Sequence, residues 1–387
     1  MNMLSAQKMS LGDVVRFGNG KSIKPGGVGR YLVFGSNGII GGCDEFRHEN
    51  GVIIGRVGAY CGAVVYCPSK FWASDNTLVA YPANGQFDTK FLFYLLSDAK
   101  LSRYAGGAAQ PLVTQSVLKQ VEVRVPPLPI QQRIAGILSA YDELIENSQR
   151  RIKILEAMAR GLYREWFVHF RFPGHENHSR VASALGEIPE GWEVKTTGDA
   201  FVITGGGTPS RKEDEFWKNG TIQWYSPTDL TRAGAMFIDD SSDHITELGL
   251  AQSSARMFPA FSVMLTSRAT IGAISINTQP ACTNQGFITC LPNERVPLYF
   301  LFHWLTENVP TFQRMASGAT FKEISRGVFK TIDFLQPPAA LLGRFETTTT
   351  PMAEQVLALQ RQIQNLRRSR DLLLPRLLSG QIDIGEI

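Results

Sequence analysis

The sequence predicts an α+β chain: two similar mixed α/β domains separated by a pair of long antiparallel helices, a coiled coil, related by a pseudo-two-fold internal repeat. Three observations carry this. The chain repeats itself: Phe91-Leu92-Phe93 recurs as Phe300-Leu301-Phe302, and Lys119, Val121, Pro126, Pro127 and Arg133 recur 211 positions later as Lys330, Ile332, Pro337, Pro338 and Arg344. Each copy opens with short β-branched runs broken by Gly-rich turns, the pattern of a mixed sheet. After each proline pair the apolar spacing changes to threes, fours and sevens, which marks a long amphipathic helix with one seam.

Taken in order, Gly51 to Ile54, Ala63 to Tyr66 and Thr77 to Tyr81 read as strands, Thr89 to Leu101 as a helix, and Val121 to Val125 as a closing strand that ends at a proline pair, since proline cannot donate to a ladder. The first seam is Ile134, Leu138, Tyr141, Ile145, Ile152, Leu155, Leu162 and Trp166; the second is Phe345, Met352, Val356, Leu359, Ile363, Leu366, Leu373 and Leu377. Two helices with one seam each can bury both seams against each other, and a chain that returns through a second domain makes that pair antiparallel. The boundaries expected are 1–128 for the first domain, 129–168 for its helix, 169–190 for a linker, 191–337 for the second domain, and 338–387 for the second helix and tail. Within the repeat, Arg56 to Ala63 parallels Arg268 to Ala273, Asn76 parallels Asn284, and Thr208 to Asn219 has no counterpart in the first copy.

The 387 residues carry a formal charge of +4, distributed unevenly: residues 1–168 hold 19 basic and 13 acidic groups, the remainder 20 and 22. The more basic first half suits a polyanionic partner. Five cysteines without a C-x-x-C pair make a poor disulfide framework, which indicates a reducing compartment, and no apolar run is long enough to span a bilayer. A soluble cytoplasmic protein is expected.

Catalytic signatures fail one by one. Gly20-Lys21-Ser22 lacks the glycine that a phosphate loop needs at position 15, where Val stands. Gly205-Gly206-Gly207-Thr208 lacks the spacing of a dinucleotide loop and reads as a flexible turn. An adenine methyltransferase loop needs Asn or Asp before Pro-Pro, and Val125 and Gln336 stand there instead. His169, His175 and His178 have no cysteine or carboxylate at metal-ligand spacing and read as a solvated loop. Glu193-Val194-Lys195 has no upstream aspartate for a nuclease metal. No catalytic residue and no metal site is expected, and no cofactor in this chain.

Two similar but non-identical domains on a spacer suit a bipartite target, such as duplex DNA with two half-sites. Groups able to meet phosphates and base edges cluster in both copies: Lys21, Lys24, Arg30, Asn37 and Arg47 in the first, and Thr208, Ser210, Arg211, Lys212, Lys218, Gln223 and Asn284 in the second. Arg and Lys match guanine O6 and N7, while Asn and Gln match adenine N6 and N7. The rival readings are a structural adaptor that never touches DNA and a cryptic DNA methyltransferase or nuclease.

Several strings then point to one family: Pro126-Pro127-Leu128-Pro129-Ile130-Gln131-Gln132-Arg133-Ile134, Leu162-Tyr163-Arg164-Glu165-Trp166-Phe167, Gly186-Glu187-Ile188-Pro189-Glu190-Gly191-Trp192, Gly205-Gly206-Gly207-Thr208-Pro209-Ser210 and Leu373-Leu374-Pro375-Arg376-Leu377-Leu378-Ser379-Gly380. Together they resemble the specificity subunit of type I restriction-modification systems along essentially the whole chain. The resemblance implies a non-catalytic sequence reader with one target recognition domain per half of an interrupted, asymmetric DNA site. It implies helices that set the spacer and dock two methylation subunits carrying S-adenosylmethionine, and restriction subunits that use ATP and Mg. One departure is that the Pro-Pro-Leu-Pro-Ile-Gln-Gln-Arg string degenerates in the second copy to Pro337-Pro338-Ala339-Ala340-Leu341-Leu342-Gly343-Arg344.

Overall fold

The structure, a computed structural model, describes residues 6–24, 26–107, 110–318, 320–382 and 384. It divides into two units: Met1–Asn147 with Ile363–Ile387, and Ser148–Gln362. Each long helix therefore contributes to both units. The first runs Leu128–Tyr163 and the second Ala339–Ser379.

In the first unit a six-stranded sheet has the order Val15–Asn19, Thr77–Pro82, His48–Gly55, Val64–Ala73, Tyr31–Gly35, Gly38–Cys43. All neighbours are antiparallel except Leu32–Phe34 against Phe71–Ala73. The strands follow the β-branched runs, and the helix Thr89–Asp98 buries Phe91, Leu92, Tyr94, Leu95 and Leu96 on the sheet. Asp88 caps that helix by accepting from the Phe91 N–H, which satisfies one of its free donors. The same core takes Ile134, Ala135 and Leu138 from the first long helix and Leu377 and Leu378 from the second. Rising numbers on the first helix meet falling numbers on the second and the segment after it: Arg133 donates to the Ile384 carbonyl beyond the helix end, and Asp142 pairs with Arg370.

The second unit repeats the plan with one interruption. A five-stranded sheet has the order Val202–Thr204, Phe287–Leu291, Val263–Thr266, Ile274–Asn277, Phe237–Ile238. A three-stranded sheet, Asp243–Ile245, Ile222–Tyr225, Ala281–Thr283, completes it. What is one strand in the first unit, Val64–Ala73, is here broken between Asn277 and Ala281, where the Asn277 amide donates to the Pro259 and Gln279 carbonyls. Here too the helices are antiparallel: Tyr163 and Trp166 meet Phe345, whereas Leu155 shares a cavity wall with Met352 and Val356. The first helix ends in a π-turn, Arg164–Val168, that turns Trp166 and Phe167 into the core. The second passes through Pro351; on the turn before it, the hydroxyls of Thr347, Thr348 and Thr349 bond the carbonyls four residues back.

Every seam residue is buried or half-buried, from Ile134 to Trp166 and from Phe345 to Leu377. Three expectations need correction. Residues 169–190 hold a hairpin, Arg180–Ser183 with Gly186–Pro189, and Ile188 of that hairpin with the flanking Phe172 and Trp192 joins the second core; His169 and His178 are exposed, and His178 bonds the Glu190 carbonyl. Backbone bonds match Arg56 with Ser267, since their carbonyls accept from Val113 and Ile324, and match Ser74 with Asn284, whose N–H groups bond Phe34 and Tyr225; Arg268 stands one position beyond the true counterpart of Arg56, and Asn284 two positions before that of Asn76. Finally, the segment containing Thr208 to Asn219 does have a shorter counterpart, 20–30, between the equivalent strands. The larger excess follows Tyr225, where Pro227–Ala233 and Glu247–Ala251 add helices.

Candidate nucleic-acid interface

The residues expected to touch DNA sit at loops and strand ends of the two sheets. In the first unit, Lys21 and Lys24 are exposed on the segment leaving Val15–Asn19. That segment is held by close backbone approach: a Cβ on Gly20 would collide with the Ser74 carbonyl oxygen, so only glycine fits. The Lys21 N–H donates to the Ala73 carbonyl (2.9 Å), and the Lys21 carbonyl accepts from the Trp72 indole (2.8 Å). Arg47, exposed just before His48–Gly55, lies over that indole with its guanidinium carbon 5.6 Å from the ring centre. Lys21 and Arg47 are thus brought together by one tryptophan. Arg30 and Asn37 flank the strand Tyr31–Gly35 at opposite ends and are not adjacent; Arg30 lies 5.4 Å over Tyr31 and Asn37 occupies the following turn.

The second unit gathers more of its set. Gly205 to Thr208 is not a flexible turn: Gly205 and Gly207 are buried, and a Cβ on Gly206 would strike the Thr283 carbonyl. Thr208 donates its hydroxyl to Gln285 (2.7 Å). The Ser210 carbonyl accepts from the Trp217 indole (2.9 Å), and its hydroxyl oxygen accepts from the Lys212 N–H. Arg211 stacks 3.6 Å from the Trp217 ring centre and 5.0 Å from that of Trp224, and donates Nη2 to Asp243 at 2.6 Å. Lys212 and Lys218 project into solvent on the same segment.

Two members of the set are spent inside the unit. The Gln223 amide donates to the Asp239 carbonyl (2.7 Å) and accepts from the Tyr225 hydroxyl (2.6 Å), so both ends of its base-reading edge are already bonded. Asn284 accepts from the Gly286 N–H (2.8 Å) and shapes a turn. Burial pushes the Tyr225 phenol upward, helped by Asp240, Asp229 and Asp239, which keeps it a neutral donor to Gln223. Asp239 itself lies below the usual carboxylate range because Arg361 of the second long helix donates to it at 2.7 Å.

The residues missed from the sequence are the tryptophans. Trp72, Trp217 and Trp224 support the basic side chains, and a buried indole needs an acceptor for its N–H, which was the available signal. Among the described residues no group of three or more His, Cys, Asp or Glu side chains is placed to hold a metal.

Comparison with known proteins fits this arrangement. The family described as type I restriction modification DNA specificity domain matches twice, over residues 4–157 and 189–340. The MjaIX specificity subunit of Methanocaldococcus jannaschii is 28% identical over 309 residues, covering 77% of this chain and 70% of that protein. The putative MjaX subunit of the same organism is 25% identical and covers 96% and 84%. The EcoR124I/EcoR124II specificity subunit of Escherichia coli is 26% identical and covers 73% and 70%. The crystal structure of a type I S subunit from M. genitalium shares the fold across 100% of this chain and 98% of that one, with a TM-score of 0.67 at 18% identity. A family model matched on both halves of the repeat makes the chain a member of the type I restriction-modification DNA specificity family, a specificity subunit with two DNA recognition domains.

Proposed function

We propose that the chain reads double-stranded DNA without chemistry of its own, each unit contacting one half of a bipartite, asymmetric site. The observation that carries this is the pairing of a shared strand-and-helix plan with different exposed side chains: Lys21, Lys24, Arg30 and Arg47 on one unit, Ser210, Arg211, Lys212 and Lys218 on the other. The helices set the spacer and dock two methylation subunits; Leu144, Ile154, Met158 and Leu372 are apolar side chains left exposed on them, which supports a protein partner there. S-adenosylmethionine would be held by those partners, and ATP with Mg by restriction subunits. The setting is the cytoplasm; no helix among the described residues is long and apolar enough to cross a membrane.

The test is a domain exchange. Replacing residues 192–336 by the equivalent unit of a relative should change one half of the methylated motif and leave the other half and the spacer as they were. A change in both halves would overturn independent recognition. A charge test runs alongside. In the complex with methylation subunits, Lys212→Ala should weaken binding to all sequences alike and lower the slope of log K against log salt by roughly 0.9, as for one lost phosphate contact. An unchanged slope removes Lys212 from the surface.

A further inference from the structure

Each unit fixes the same loop carbonyl with a tryptophan and then sets an arginine on that tryptophan. Backbone bonding establishes the correspondence. In the first unit Lys21 N–H bonds Ala73 and Ser74 N–H bonds Phe34; in the second Gly207 N–H bonds Thr283 and Asn284 N–H bonds Tyr225. Lys21 therefore corresponds to Gly207, and the parallel pairs Phe34 with Ala73 and Tyr225 with Thr283 stand at the same register. One residue earlier, Val33 faces Trp72, whereas Trp224 faces Cys282. The tryptophan has changed strands between the units, yet both indoles donate to the corresponding carbonyl: Trp72 to Lys21 at 2.8 Å and Trp224 to Gly207 at 2.9 Å. The arginine also comes from different elements, Arg47 from before His48–Gly55 and Arg211 from the segment after Gly207. Duplication of an ancestral unit does not supply this likeness, because the residues occupy different positions in the repeat. What the two units share is the placement of a guanidinium.

That guanidinium faces water in both. Arg47 is exposed, and among the described residues its side chain has no ion-pair or hydrogen-bond partner. Arg211 is about half exposed, and its bond to Asp243 takes one of the two Nη2 hydrogens, so the other, beside Nε–H or Nη1–H, still offers a donor pair without a partner among the described residues. The aromatic face narrows the guanidinium's orientations in both units, and for Arg211 the carboxylate narrows them further, before any ligand arrives, which reduces the side-chain entropy lost on binding. Phosphate contacts need charge rather than a fixed plane, and the exposed lysines of each loop can supply that. A fixed fork matches the adjacent O6 and N7 acceptors that guanine presents in the major groove.

We propose that Arg47 and Arg211 are the guanine-reading side chains, one in each unit, which rests on the DNA-reading function above. The experiment maps methylated motifs in cells carrying the full chain with its methylation subunits, as wild type and as Arg47→Lys, Arg211→Lys, Arg47→Ala and Arg211→Ala. Lysine keeps the charge and loses the fork. Each lysine variant should relax one G·C position in one half-site, by roughly 5- to 150-fold in discrimination, with the other half unchanged and the two variants affecting opposite halves. Assembly with the methylation subunits and the unfolding midpoint should stay at wild-type values, and Trp224→Phe, which drops the indole N–H, should relax the same position as Arg211→Lys. Lysine variants that keep full discrimination while the alanine variants lose affinity for every sequence would make both arginines phosphate contacts and overturn the proposal. So would relaxation of the same half-site by both, or no change in any variant. A wild-type chain that directs no sequence-specific methylation would instead overturn the reader itself.

Discussion

Asp142→Ala should destabilise the first unit by about 2–4 kcal/mol, below the range for a fully buried pair because both partners are about 30% exposed. Asp142 accepts from the Tyr94 hydroxyl at 2.5 Å and from Arg370 Nη1 at 2.5 Å, tying the sheet-packed helix Thr89–Asp98 to both long helices. Its removal leaves the buried Tyr94 phenol without its acceptor and the half-buried Arg370 guanidinium with the Asp371 carboxylate alone, which accepts from Nε at 3.0 Å and Nη2 at 2.8 Å. Burial and the Asp142 bond both push the Tyr94 phenol up, so it stays a donor at any accessible pH. Hydrogen exchange of the segment 128–147 measures the effect unit by unit, and adding Arg370→Ala should recover part of the loss as a coupling of about 0.5–3 kcal/mol. A loss under about 0.5 kcal/mol would mean that water screens the pair.

The same comparison explains a void in the second unit. At the repeat spacing, Asp142 and Arg370 correspond to Ala353 and Ala159, and Tyr94 to His303. Those three line a cavity of about 280 Å³, and the His303 Nε2 has no hydrogen-bond partner. Two alanines and a histidine thus line the cavity at the positions where the first unit carries the ion pair and the phenol.

Protons give the second large effect. Burial lowers the His303 imidazole to about 4, with Arg160 adding to it, and burial raises the Glu346 carboxyl to about 7 despite the N–H bonds from Phe300 and Tyr299. Between pH 4 and 6.5 the unfolded chain protonates His303 and the folded chain does not, so this group makes stability rise with pH. Between pH 4.5 and 7 the folded chain keeps the Glu346 proton that the unfolded chain has lost, so this group makes stability fall with pH. At about 1.4 kcal/mol per pH unit for each proton, the two slopes cancel over most of that window. Glu346→Gln should unmask the His303 slope, with stability rising by about 3 kcal/mol from pH 4 to 6.5; His303→Phe should unmask the opposite slope. Urea unfolding across pH 4–7.5, compared with wild type, checks both. Variant curves parallel to wild type would show that both groups titrate as if solvated.

The helices and the repeat were legible because a seam is a period, and a period survives substitution: Ile134 and Phe345, or Ile145 and Val356, are different side chains with one apolar role. Loop correspondences were not. Arg56 matches Ser267 through a main-chain carbonyl that any residue supplies, so matching letters misled by one position. Of the candidate contacts, the lysines and Arg211 are exposed, but Gln223 turns inward because Asp239 and Tyr225 approach it across the fold. The exchange of Trp72 for Trp224 across a strand pair leaves no trace in an alignment of the two halves, since each tryptophan faces a Val or a Cys at the matching position.

The division of the chain has a consequence for its synthesis. The second unit, Ser148–Gln362, is one uninterrupted stretch, whereas the first is completed only by Ile363–Ile387. Emerging from a ribosome, the first unit presents its sheet early while Ile134 and Leu138 wait for Leu377 and Leu378 to cover them. At 5–20 residues per second the intervening segment takes about 10 to 40 s to make. The unit translated first is therefore finished last, and for that interval Ile134 and Leu138 lack their cover from the second helix.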